Sequence, residues 1–149
     1  MIPIADVMTP DPVTVSPQAS LADATALMAR HRIRHLPVLD GGRLVGLVTQ
    51  RDALAATDSR LRDPADGIDP HRIPVGRVMT REVVSVDVHD PLVAAARLME
   101  RHRYGCLPVR DGERLVGIVT DTDFVAVAIN LIEQLEALTP PPEEELALD

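Results

Sequence analysis

The chain is poor in aromatic side chains: Tyr104 and Phe124 are the two it has among 149 residues, and tryptophan is absent. Readers of single-stranded nucleic acid stack bases on aromatic platforms, and two rings do not build an extended one. A single cysteine, Cys106, excludes an intramolecular disulfide. With no cationic start followed by a small-residue cleavage site, the expected setting is the reduced cytoplasm. The longest apolar run, 124–129, is six residues, far short of the ~20 that a membrane helix needs, so no membrane partner is expected. Basic residues are missing from the end of the chain. Residues 1–132 carry all 15 Lys and Arg against 17 acids, whereas residues 133–149 carry six acids and no base. The net charge of −8 opposes generic binding to nucleic acid or anionic lipid. Most of it belongs to the tail, so the body is almost neutral.

What is present is a duplication. Residues 2–55 align with residues 73–126 at a constant offset of 71, without a gap, and 27 of the 54 positions are identical. The shared blocks are IPIADVMT with IPVGRVMT, LADATALMARHR with LVAAARLMERHR, and HLPVLDGGRLVGLVTQRD with CLPVRDGERLVGIVTDTD. A unit of this size is marginal alone, so the two halves are expected to share one core. The spacing divides the chain into a first repeat (1–55), a linker (56–72), a second repeat (73–126), a helical extension (127–139) and an acidic, disordered tail (140–149). The six tail acids, Glu133 to Asp149, either solvate that end or dock a partner.

Each repeat reads as strand, helix, strand, strand, helix. Val13 to Val15 and Val84 to Val86 are short β-branched runs, and Leu21, Ala24, Leu27 and Met28 recur at helical spacing, as do Leu92, Ala95, Leu98 and Met99. Asp90 before Pro91 is a natural cap for the second of these helices. LPVLD and RLVGLVT, joined at Asp40-Gly41-Gly42, form a hairpin that is repeated around Asp111-Gly112-Glu113. A last helix starts near Gln50 and near Asp121. After Ala55 the first repeat enters a Pro- and Gly-containing connection, whereas the second continues as a helix to about Leu138, stopped by Pro140 to Pro142. Val125, Ile129, Ile132 and Leu135 give that extension an apolar stripe, to be covered by its own module or by a second subunit.

With VMT, LPV-x-D-G and G-hydrophobic-hydrophobic-T-x-x-D each present twice in the same order, the sequence resembles a tandem pair of cystathionine-β-synthase (CBS) domains, a Bateman module. The resemblance covers residues 2–126. It implies an α+β fold in which two β-α-β-β-α repeats pack as a pseudo-twofold module, with two clefts that hold adenosine-containing ligands such as AMP, ADP, ATP, NAD or S-adenosylmethionine. It implies no catalysis and no required cofactor, and the residues offer no nucleophile, base and oxyanion-donor set. The expected function is that of a regulatory protein, a homodimer that binds an adenosyl ligand and signals to a protein partner. The alternative is a constitutive dimerisation scaffold with no bound nucleotide.

The site residues follow the same resemblance. One cleft would use Thr49 and Asp52 for phosphate and ribose, with adenine against Thr80, Val84, Ser85, Tyr104 and Gly105, and with Arg34, His35 and Arg51 as added phosphate donors. The other would use Thr120 and Asp123, with adenine against Thr9, Val13, Thr14, Ile33 and Arg34. On this reading the Thr49 cleft gains Arg34 and His35 where the other has Gly105 and Cys106, so phosphate-bearing ligands favour it. A plainer reading stands beside it: Thr49 and Thr120 cap helices, Asp52 and Asp123 sit at the positive end of a helix dipole, and Arg34 is a solvated strand-edge residue. Arg30-His31-Arg32 and Arg101-His102-Arg103 read as cations favouring a helix C-terminus. His31 with His35, and His102 with Cys106, have a ligand-like spacing but no third ligand, so no metal is expected. Cys106 reads as a small buried hydrophobe.

Overall fold

In this computed structural model, residues 1–58 and 69–139 are described. Most of the linker and the 140–149 tail, expected to be disordered, lie outside them. Helix α1 (Leu21–His31) starts at a capping box: the Ser20 hydroxyl accepts from the Asp23 N–H at 3.1 Å, and the Asp23 carboxylate accepts from the Ser20 N–H at 3.2 Å. Leu21, Ala24 and Met28 turn inward from α1, and Leu92, Ala95 and Met99 do so from α3 (Leu92–His102). The expected Asp90 cap on α3 is displaced by one residue. Pro91 occupies the N-cap, and the Asp90 carboxylate accepts from the Asp87 N–H at 3.1 Å, closing the preceding turn instead.

Strands β2 (His35–Asp40) and β3 (Arg43–Thr49) form one antiparallel hairpin, and β5 (Cys106–Asp111) with β6 (Arg114–Thr120) form the other. Gly41 and Gly42 both have positive φ (57° and 83°), the conformation a tight two-residue hairpin demands. Helix α2 (Gln50–Thr57) follows the first hairpin and α4 (Asp121–Leu138) the second. The β-branched runs before α1 and α3 make less strand than their composition suggests. Val15 forms a single parallel bridge to Val38, and β4 is confined to Val86–Asp87, parallel to β5. Val15 and Val86 are the positions of these runs that reach the cores, while Val84 stays 38% exposed.

The leading segments of the two repeats are exchanged. Strand β1 (Thr9–Pro10) pairs with β6 of the second repeat, so the sheet runs β1-β6-β5-β4. The counterpart Thr80 exchanges both backbone hydrogen bonds with Leu47 of β3, at 2.9 and 3.0 Å. Upstream, the Leu92 N–H donates to the Ile2 carbonyl at 2.7 Å, and symmetrically the Leu21 N–H donates to the Ile73 carbonyl at 2.9 Å. The shared single core expected from the small repeat size is therefore replaced by two. Ile4 is buried with Val86, Leu92, Leu107 and Val119, while Val75 and Met79 are buried with Leu21, Leu36, Val38 and Val48. Each core needs a piece of both repeats.

The glycines of the repeated motif permit this exchange. A Cβ on Gly46 would lie 2.8 Å from Met79 Cγ and 2.9 Å from the Thr80 carbonyl oxygen, and one on Gly117 would lie 3.0 Å from the Thr9 carbonyl oxygen. Only a residue without a side chain lets the crossing segment reach the strand. On α4, Phe124 and Val127 pack against the second core. The stripe of Val125, Ile129, Ile132 and Leu135 does not pack on its own module and is 53–64% exposed. No helix among the described residues is long and apolar enough to cross a membrane.

Candidate functional site

The ends of β3 and β6, where α2 and α4 begin, carry the same local structure. The Thr49 N–H donates to Asp52 Oδ2 at 3.1 Å, and the Asp52 N–H donates to Thr49 Oγ1 at 3.1 Å. At Thr120 the N–H donates to Asp123 Oδ2 at 2.8 Å, and the hydroxyl reaches the same oxygen at 3.2 Å. Both T-x-x-D motifs are thus capping boxes, as the plainer reading expects. Thr49 and Thr120 each also border a cleft.

The Thr120 cleft encloses about 300 Å³ and brings together Thr9, Val13, Ile33, Arg34, Thr120 and Asp123, six of the seven residues expected for it. Thr14 does not line it. Asp11, Pro12, Arg32, His35, Ile118, Asp121 and Thr122 complete its wall. The Thr49 cleft is wider, about 800 Å³, and is lined by Arg34, His35, Thr49, Arg51 and Gly105 from the expected set, with Gln50, Leu54, Ala55, Asp58, Arg103 and Asp121 added. Thr80, Val84, Ser85 and Tyr104, expected as its adenine side, do not line it, and neither does Asp52. The Ser85 hydroxyl accepts from Arg110 Nε at 2.9 Å. Tyr104 stacks on His102 with ring centroids 5.1 Å apart and packs on the second core. Asp52 makes the same cap as Asp123, which does line its cleft.

Arg34 and His35 do not distinguish the clefts, because both residues line both. Of the charge expected to favour the Thr49 cleft, the Arg34 and His35 part is therefore shared and the Arg51 part remains its own. Among the described residues it is lined by Arg34, Arg51 and Arg103 against Asp58 and Asp121, whereas the Thr120 cleft has Arg32 and Arg34 against Asp11, Asp121 and Asp123. Arg32 and Arg103 were legible only as helix-end cations. Both cap their helices in the left-handed conformation, with φ of 55° and 56°, where glycine is the usual occupant. A non-glycine residue held there costs on the order of 1 kcal/mol or more. Each reaches the wall of a cleft, which charge counting along a helix does not predict.

His35 sits between the clefts. Burial lowers its pKa from the ordinary 6.5, Arg34 adds to the lowering, and Asp121 and Asp52 oppose it. Burial pushes the Cys106 thiol up to about 12, with Asp121 and Asp123 adding to the effect. Cys106 is thus held as a thiol, a poor nucleophile and a poor metal ligand. No cluster of three His, Cys, Asp or Glu side chains among the described residues is placed to hold a metal ion.

Comparison with known proteins bears on this geometry. The chain is 41% identical to, and superposes with a TM-score of 0.78 on, a protein from Vibrio cholerae with the provisional name acetoin utilization protein (AcuB), over 95% of this chain and 99% of that one. The CBS domain pair of protein MJ0100, solved in complex with 5'-methylthioadenosine and S-adenosyl-L-methionine, matches at 26% identity and a TM-score of 0.76, over 88% and 98% of the two chains. CBSX2, solved in complex with AMP, matches at 31% identity and a TM-score of 0.75, over 89% and 99%. The family model for the CBS domain matches twice, over residues 4–59 and 75–130. With the duplicated motifs, the exchanged leading segments and the two clefts, these matches place the chain in the CBS domain family, as a protein carrying the domain in tandem.

Proposed function

We propose that this protein is a non-catalytic regulatory module that binds an adenosine-containing ligand at one or both clefts, as a homodimer that signals to a protein partner. The observation that carries this reading is the pair of capping boxes beside the clefts. Each cap uses Oδ2 of its aspartate, and at the Thr120 cleft, which Asp123 lines, this leaves Asp123 Oδ1 to accept from ribose hydroxyls. Capping and ligand contact are then two uses of one carboxylate. Thr49 and Thr120 hydroxyls, with the adjoining helix N-terminal amides, suit a phosphate, and Arg34, Arg51 and Arg103 give the Thr49 cleft the charge to attract one. The ligands of the MJ0100 domain pair and of CBSX2 support an adenosyl compound over other anions. The uncovered α4 stripe supports the homodimer, and a single buried thiol suits a reducing, cytoplasmic setting.

A thermal-shift panel of AMP, ADP, ATP, NAD, S-adenosylmethionine and cyclic dinucleotides tests the reading. A ligand present at 100 times its Kd stabilises by ~2.7 kcal/mol, a readily measured shift. A flat response to every adenosyl compound leaves the scaffold reading, which the same α4 stripe favours.

A further inference from the structure

We propose that Arg34 and His35 form one partition serving both clefts, with Arg34 its shared cation, so that a phosphate bound on one side weakens binding of a second phosphate on the other. The inference rests on the ligand class proposed above and concerns how the two clefts communicate. Arg34, His35 and Asp121 line the Thr49 cleft and the Thr120 cleft alike. The pseudo-twofold relation would place a second such pair in the same wall, but the second repeat has Gly105 and Cys106 at the matching positions. Gly105 makes the room that His35 occupies. A Cβ there would lie 3.2 Å from His35 Nε2 and 3.9 Å from Asp121 Oδ2. Cys106 is buried and brings no charge.

The wall between the clefts therefore holds one full cation, one carboxylate and one imidazole. A phosphate on either side draws on the Arg34 guanidinium, which lines both clefts. Asp121 already offsets part of that charge. A second phosphate keeps only the arginines of its own cleft, Arg32 on the Thr120 side or Arg51 and Arg103 on the Thr49 side, and faces a like charge across the wall. An uncharged adenosine compound makes no such demand, so it can occupy the cleft that the phosphate ligand leaves. The two clefts then act as one phosphate site with two addresses, coupled through shared residues rather than through a change of fold.

Calorimetric titration of the full chain with AMP and with adenosine tests this. The expected result is one AMP and two adenosines per chain, with any second AMP weaker by ~10-fold or more. A Thr120 cleft too small for AMP would also give one AMP, so a second variant is needed. Arg51→Glu with Arg103→Glu reverses charges that line only the Thr49 cleft, and it should transfer the single AMP to the Thr120 cleft. The transfer is read as loss of AMP binding on adding Asp123→Asn. Two AMP molecules of equal affinity per chain overturn the proposal, as does a charge-reversed variant that binds none. Failure of the unmodified chain to bind either AMP or adenosine overturns the ligand class itself, and the partition with it.

Discussion

His35 lies over the face of Gly105, close enough that a β-carbon on residue 105 would stand 3.2 Å from its Nε2. A side chain from the first repeat thereby fills the space that the second repeat leaves open, at the wall common to both clefts. Gly105→Ala should displace the imidazole at a cost of ~1–3 kcal/mol, the usual penalty of overpacking. Urea unfolding measures that cost, and chemical-shift changes centred on His35 would locate it.

The same histidine makes stability depend on pH. Its pKa in the folded chain is lowered from 6.5, chiefly by burial and then by Arg34, with Asp121 and Asp52 opposing. As pH falls through about 6.5, the unfolded chain takes up a proton that the folded chain resists. The unfolded state then binds more protons, so stability is full above this range and declines below it. His35→Gln removes the group. Its unfolding free energy should fall less between pH 7.5 and pH 5.5 than that of the unmodified chain, as denaturation at the two pH values will show.

Exchange of the leading segments makes Ile4 a core residue of the second half although it stands near the start of the first. It is fully buried among Val86, Leu92, Leu107 and Val119. Ile4→Ala should cost ~2–5 kcal/mol, and amide exchange should accelerate in α3, β5 and β6 rather than in β2 and β3. Gly46→Ala should disturb the opposite core, because the new methyl meets Met79 and the Thr80 carbonyl.

On α4, Ile129 and Ile132 are both 53% exposed on the apolar stripe. Ile129→Glu with Ile132→Glu should halve the mass measured by light scattering and leave the circular dichroism spectrum unchanged. An unchanged mass would show that the stripe is not a dimer contact.

The duplication, the helices and the hairpins were legible because local periodicity and turn chemistry determine them. Thr49 and Thr120 were legible as caps for the same reason, and the Thr120 cleft assembles almost as expected. The exchange of leading segments was not legible. A constant offset of 71 says that Thr9 and Thr80 are equivalent, but not that each pairs with the strand of the other repeat. Two residues expected on the adenine side of the Thr49 cleft are engaged elsewhere through particular differences between the repeats. Arg110 stands where the first repeat has Leu39 and engages Ser85, and Tyr104 stands where the first has Ile33 and stacks on His102. Arg32 and Arg103 were read as helix-end charge, which they are. Their left-handed backbone, which carries them to the clefts, has no signature in sequence.

The most direct test of the account is the affinity for AMP of the unmodified chain and of Asp52→Asn with Asp123→Asn. The asparagine oxygen can still accept the capping hydrogen bond, so the fold should persist while both carboxylates, including the Asp123 ribose acceptor that lines a cleft, lose their charge. The account predicts saturable AMP binding that weakens at least ~10-fold in the double variant, the loss of one or two charge-assisted hydrogen bonds. Equal affinity in the two proteins, or no AMP binding to the unmodified chain, would contradict it.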